Sequence, residues 1–89
     1  MDSMSVWFGQ GPGIIAPLEV EGPEGSSSLE ELIGLLFRMR VQVLRADEER
    51  RTARIVRRFG VCEFDGGPLS VRRRRTIAAE IAAATSRAA

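Results

Sequence analysis

Three of the chain's four prolines (Pro12, Pro17, Pro23) and five of its nine glycines fall within residues 1–28, and this concentration constrains the fold more than any other feature. Proline removes a backbone donor and glycine raises the entropy cost of order, so the segment resists helix and central strand. The expectation is an extended arm over residues 1–28. Two apolar spots interrupt it, Val6-Trp7-Phe8 and Ile14-Ile15-Ala16-Pro17-Leu18. A purely disordered linker does not need them. Trp7, the only tryptophan, reads with Phe8 as an anchor that docks in a partner's groove or folds back on its own chain.

Beyond the arm, helix signals dominate. Ser28 and Glu31 have the spacing of a capping box, in which side chain and backbone satisfy each other's donors. Good helix formers follow through Arg40 and again over Arg45–Arg51, and Gly60 has the place of a helix stop. The reading is one helix from about 28 to 59. Against it stands Phe37–Val43, which alternates apolar and polar residues as a strand does. On a helical wheel the apolar residues from Leu29 to Leu44 spread over about 240°, far wider than one surface stripe. The cluster Asp65-Gly66-Gly67-Pro68 marks a turn, and Val71, Ile77, Ile81 and Ala84 recur at helical spacing after it. A second helix is expected at about 69–87. The fold expected is mainly α: an acidic arm over 1–28, then a helical hairpin over 29–89. The alternative is a small α+β domain with a strand near 37–44.

Charge is segregated along the chain. Residues 1–37 carry six acids and no base, whereas residues 38–89 carry thirteen arginines and six acids. Codon bias explains the absence of lysine but not this division. Arg72-Arg73-Arg74-Arg75 sits at the start of the second helix, where the helix dipole favours acids instead. In a hairpin, Arg54, Arg57 and Arg58 join them at one basic tip. A guanidinium fork suits carboxylate and phosphate alike, and a solvated surface run is the plain alternative. The arm supplies candidate partners at Glu19, Glu21 and Glu24, reaching the tip of a neighbouring subunit. Leu32, Leu36, Phe37 and Val43 are the expected interface anchors on the helix faces.

The residues offer little to an enzyme. There is no histidine, and Cys62 is the only cysteine. General bases, metal sites and Cys-His pairs are thereby short of parts. No catalytic, metal or cofactor residues are assigned. At 89 residues the chain makes one domain, without a disulfide to staple it. The lone thiol fits a reducing, intracellular compartment, and the location expected is the cytoplasm or the inside of a virion or other assembly. The start of the chain lacks the character of a secretory signal, and no apolar run is long enough to span a bilayer.

The function expected is a non-enzymatic structural protein. It packs into a larger oligomer of virion, secretion or filament type, through apolar helix faces and the arm, with other copies of itself or a protein partner. A small arginine-rich nucleic-acid-binding protein is the alternative, and a protein-binding inhibitor is third.

Overall fold

The computed structural model describes residues 4–11 and 13–87. Met1–Ser3 and Pro12, which belong to the expected arm, lie outside the described residues, as do Ala88 and Ala89. The elements run β1 (Ser5–Phe8), β2 (Ala16–Pro23), α1 (Leu29–Arg38), β3 (Val41–Arg51), β4 (Arg54–Glu63) and α2 (Val71–Arg87). The strands form one antiparallel sheet in the order β1-β2-β4-β3. This α+β fold overturns the expected mainly α helical hairpin.

The supposed arm is half of the sheet. Its two apolar spots are strands: β1 holds Val6-Trp7-Phe8, and β2 begins at Ala16. Pro17 sits in an inner strand without breaking it. Its carbonyl accepts from the Gly9 amide at 2.8 Å, just past the end of β1. In a strand, the N and C=O of one residue point the same way, so the missing donor falls where the β1 ladder has already stopped. The glycines mostly serve the connections rather than keeping the chain unfolded.

The supposed long helix is a helix followed by a β-hairpin. Its start is as expected: the Glu31 amide donates to Ser28 Oγ at 3.1 Å, and the Ser28 amide to Glu31 Oε1 at 2.9 Å. The helix then ends at Arg38, because Arg40 takes a left-handed φ of 61° and turns the chain into β3. The strand alternative near 37–44 had the right kind of element, but β3 begins at Val41 and runs to Arg51. The helix formers of 45–51 adopt strand because β4 supplies a ladder for every one of them. Gly60, the expected helix stop, is buried inside β4, where a Cβ would come within 3.0 Å of Ile15. The second helix lies where its signals place it. Asp65 Oδ1 accepts from the Gly67 amide at 2.8 Å, Gly66 takes φ +89°, and α2 starts at Val71.

Both helices cover one face of the sheet. Leu32 and Leu36 of α1, and Ile77 and Ile81 of α2, pack on Leu18, Val20, Phe59, Val61 and Val41. Burying each such side chain contributes roughly 1.5–3 kcal/mol. The helix faces expected to join subunits are therefore spent on the chain's own sheet. The other face carries no helix. Among the described residues, no helix is long and apolar enough to cross a membrane.

Candidate functional site

The arginines divide into two groups that the fold keeps apart. Arg54, Arg57 and Arg58 occupy the first half of β4, flanked by β2 and β3. On the open face, Arg54 Nε meets Glu21 Oε2 at 2.9 Å and Arg58 Nε meets Glu19 Oε1 at 3.0 Å. Arg58 also reaches Glu49 at 2.8 Å, and Glu49 in turn holds Arg51 at 3.0 Å. Hydrogen bonds from Arg51 and then Arg58 hold the Glu49 carboxyl below its ordinary value of 4.5. Glu24 pairs with Arg50 at 3.2 Å. The three acids of the supposed arm thus meet arginines of their own chain.

Arg57 points to the opposite face, beneath the helices. Its side chain is only 3% exposed, with Nε 3.3 Å from Glu48 Oε1 and Nη1 3.3 Å from Ser26 Oγ. A buried charge survives when its donors find acceptors, and these two supply them.

Arg72–Arg75 lie at the other end of β4, so the seven guanidiniums expected at one tip do not converge. Within this run the roles differ by position. Arg73 Nε straddles the Glu63 carboxylate at 3.2 and 3.3 Å. Its Nη2 donates to the carbonyl of Met39 and, at 3.3 Å, to that of Arg40. The last carbonyls of a helix lack intrahelical partners, and Arg73 closes the end of α1 from across the fold. Arg74 Nε donates to the Leu69 carbonyl at 3.2 Å. Arg72 and Arg75 are exposed and, among the described residues, have no ion pair; the same holds for Arg40.

An aromatic pair lies at this same corner, where α1 and β4 end and α2 begins. The rings of Phe37 and Phe64 are 5.4 Å apart and tilted by 57°. Phe37 is 66% exposed and Phe64 47%. Val71, on the first turn of α2, is 64% exposed. Sequence reasoning picked out Phe37 but missed Phe64 and Arg40. The signal for Phe64 was its place directly before the Asp65–Gly67 turn, which lifts it off the end of the sheet. For Arg40 the sequence carries no signal, because its exposure follows from the left-handed backbone.

The remaining expected anchors fall elsewhere. Leu32 and Leu36 are in the core, while Val43 and Phe8 are half-buried against it. Trp7 lies on the open face opposite Glu19 and is 39% exposed. Cys62 is buried, with its thiol 3.7 Å from Gln42 Oε1. A hollow of about 110 Å³ between the helices is lined by Ser27, Glu31, Leu35, Arg38 and Thr85 among others. Two of its polar groups are already engaged: Glu31 caps α1, and Thr85 donates to carbonyls of its own helix. Arg38 folds back over Gly34, and so leaves the corner. Comparison with known proteins finds no match to a family model, a curated protein or a solved structure.

Proposed function

We propose that this protein is a non-enzymatic interaction module that packs into a larger protein assembly through the Phe37–Phe64 corner. One observation carries the reading: two phenylalanines lie ring against ring yet remain about half or more exposed. Aromatic side chains hold large apolar area, and where they cluster uncovered they mark contact surfaces. They also suit the anchoring role that aromatic and arginine side chains play at interfaces. The interface differs from the one expected in the sequence, because the helix faces and the 1–28 segment are occupied within the fold. In support of a binding role over catalysis, the chain has no histidine and its one thiol is enclosed.

A photo-crosslinking amino acid placed at position 64 tests this in cells producing the protein. Discrete adducts, to a second copy or another protein, are expected from position 64 and not from position 80 on the outer side of α2. Equal, diffuse labelling from both positions overturns the reading.

A further inference from the structure

We infer that the partner at this corner is an acidic segment of protein, carrying carboxylates beside an apolar or aromatic side chain. The inference rests on the corner being the interface, and it adds what that interface selects.

The basis is a local imbalance of charge. The segments that build the corner, residues 39–41 and 63–76, hold five arginines against two carboxylates. Both carboxylates are engaged: Glu63 takes Arg73, and Asp65 takes the Gly67 amide of its own turn. Arg40, Arg72 and Arg75 are left with no carboxylate among the described residues. Five of the other described acids are committed elsewhere. Glu19, Glu21, Glu24, Glu48 and Glu49 are bound into the ladder around Arg50–Arg58, toward the far end of β4.

The free arginines stand on the segments that border the rings. Arg40 follows Phe37 by three residues, and its amide donates to the Phe37 carbonyl at 2.9 Å, so its backbone stands at the end of α1 that carries Phe37. Arg73 ties the first turn of α2 to the backbone of Met39 and Arg40. Arg72 is its neighbour, and Arg75 lies one turn on, where a helix brings residues three apart to the same side. An apolar patch bordered by segments that carry unpaired arginines is complementary to a segment of mixed apolar and acidic character. The rings would supply the contact area and the arginines the choice of partner.

Nucleic acid also carries negative charge, but the corner fits it less well. Base stacking uses open ring faces on which successive bases lie parallel. Here two rings are tilted at 57° and already packed on each other, which makes a compact knob rather than a platform.

Fluorescence anisotropy on the full chain tests the inference with three labelled probes. They are a peptide alternating Glu with Leu and Phe, the same peptide with Gln for every Glu, and oligothymidylate of similar length. The acidic peptide should bind about tenfold tighter than the Gln peptide, the sum of three exposed charge contacts, and lose that advantage in high salt. The triple variant Arg40→Gln, Arg72→Gln, Arg75→Gln should bind both peptides alike. The double variant Arg72→Gln, Arg75→Gln leaves the left-handed Arg40 untouched, and should lose part of the preference with the fold unchanged. Equal binding of the two peptides by the unaltered chain, with Phe37→Ser/Phe64→Ser abolishing it, overturns the acidic partner but leaves the corner as interface. Binding unaffected by the Phe37→Ser/Phe64→Ser change removes the corner itself. No binding of the acidic peptide, or tighter binding of oligothymidylate, overturns the inference.

Discussion

Arg54, Arg57 and Arg58 on β4 each meet a carboxylate from a neighbouring strand, whereas of Arg72–Arg75 on α2 only Arg73 meets a carboxylate among the described residues. The first group is spread along a strand whose two neighbours carry acids at facing positions: Asp47 opposite Arg58, Glu48 opposite Arg57, and Glu19 opposite Arg58 from the other side. The second group is consecutive on a helix, so neighbouring side chains point about 100° apart, and Arg73 faces Glu63 while Arg72 and Arg75, three apart, share another side. Adjacent arginines in sequence thus made the weaker cluster in space. Two of the first group's pairs, Arg54–Glu21 and Arg58–Glu19, join residues 33 and 39 apart in the chain, while Arg57–Glu48 spans only 9 across the β3–β4 hairpin. A pair of arginine groups in such different surroundings should respond differently to loss of charge.

The largest effect is expected at Arg57. Replacing it with alanine removes a fully enclosed side chain and its bonds to Glu48 and Ser26, at about 3 kcal/mol. The Glu48 side chain is 37% exposed and can turn to water, so packing rather than a stranded charge should dominate the loss. Arg57→Met, which refills the space, should therefore recover most of it in urea unfolding. If methionine recovers nothing, the charge itself is what the site requires.

Arg73 comes next, as the one member of Arg72–Arg75 that pairs with a carboxylate among the described residues, as those of β4 do. Arg73→Ala should cost about 2 kcal/mol by opening the end of α1 and freeing Glu63. Amide exchange should quicken first in the last turn of α1 and at Val41. Arg73→Lys should restore only part of the loss, since one ammonium cannot bridge a carboxylate and two carbonyls at once. Equal stability of Arg73→Ala and the unaltered chain would place Arg73 with the free arginines.

Acid should loosen the ladder by a smaller amount. The Glu49 carboxyl is held below 4.5 by Arg51 and Arg58, and that of Glu31 by the backbone and then the side chain of Ser28. A folded-state pKa below the unfolded value adds stability that is present above the unfolded value. It is lost as pH falls through the folded one. The melting temperature should thus decline as pH drops from about 5 to about 3, and the decline should be shallower in Glu49→Gln. Acid dependence identical in the variant would show that Glu49 carries none of it.

What the sequence made legible follows from how local each signal is. The capping box at Ser28–Glu31 and the Asp65–Pro68 turn act within a few residues, and both formed where their residues stand. The β3–β4 hairpin did not announce itself. Its tip is Thr52-Ala53, with Ala53 at φ 58°, where Asn-Gly would have given a turn signal. Propensity over 45–51 favoured helix, but pairing with β4 overrode it. Phe37–Val43 did carry a strand pattern, displaced by the helix end at Arg38. The 1–28 segment read as an extended arm because proline and glycine resist helix and central strand, yet Pro17 falls where the β1 ladder ends and Gly25 falls in the connection after β2. At the corner, Phe37 and the α2 arginines were visible as residue types. Their meeting with Phe64 and Arg40 depended on three chain ends brought together by the sheet.

The smallest effect on stability is expected at Arg72 and Arg75, and it decides whether the comparison holds. Neither side chain has an ion pair among the described residues, and both lie exposed near the N-terminus of α2. The helix dipole is positive there and the first turn carries no acid, so these charges are placed against the local field. Arg72→Ala and Arg75→Ala should each change unfolding free energy by less than about 0.5 kcal/mol. Arg72→Glu should go further and raise stability by roughly 0.3–1 kcal/mol, because an acid in the first turn agrees with the dipole. A chain that keeps arginine where glutamate would fold better has those side chains available for something other than folding. A loss of more than about 1 kcal/mol in Arg72→Ala would remove this argument, since it would reveal a partner within the fold and put Arg72 among the arginines of the ladder.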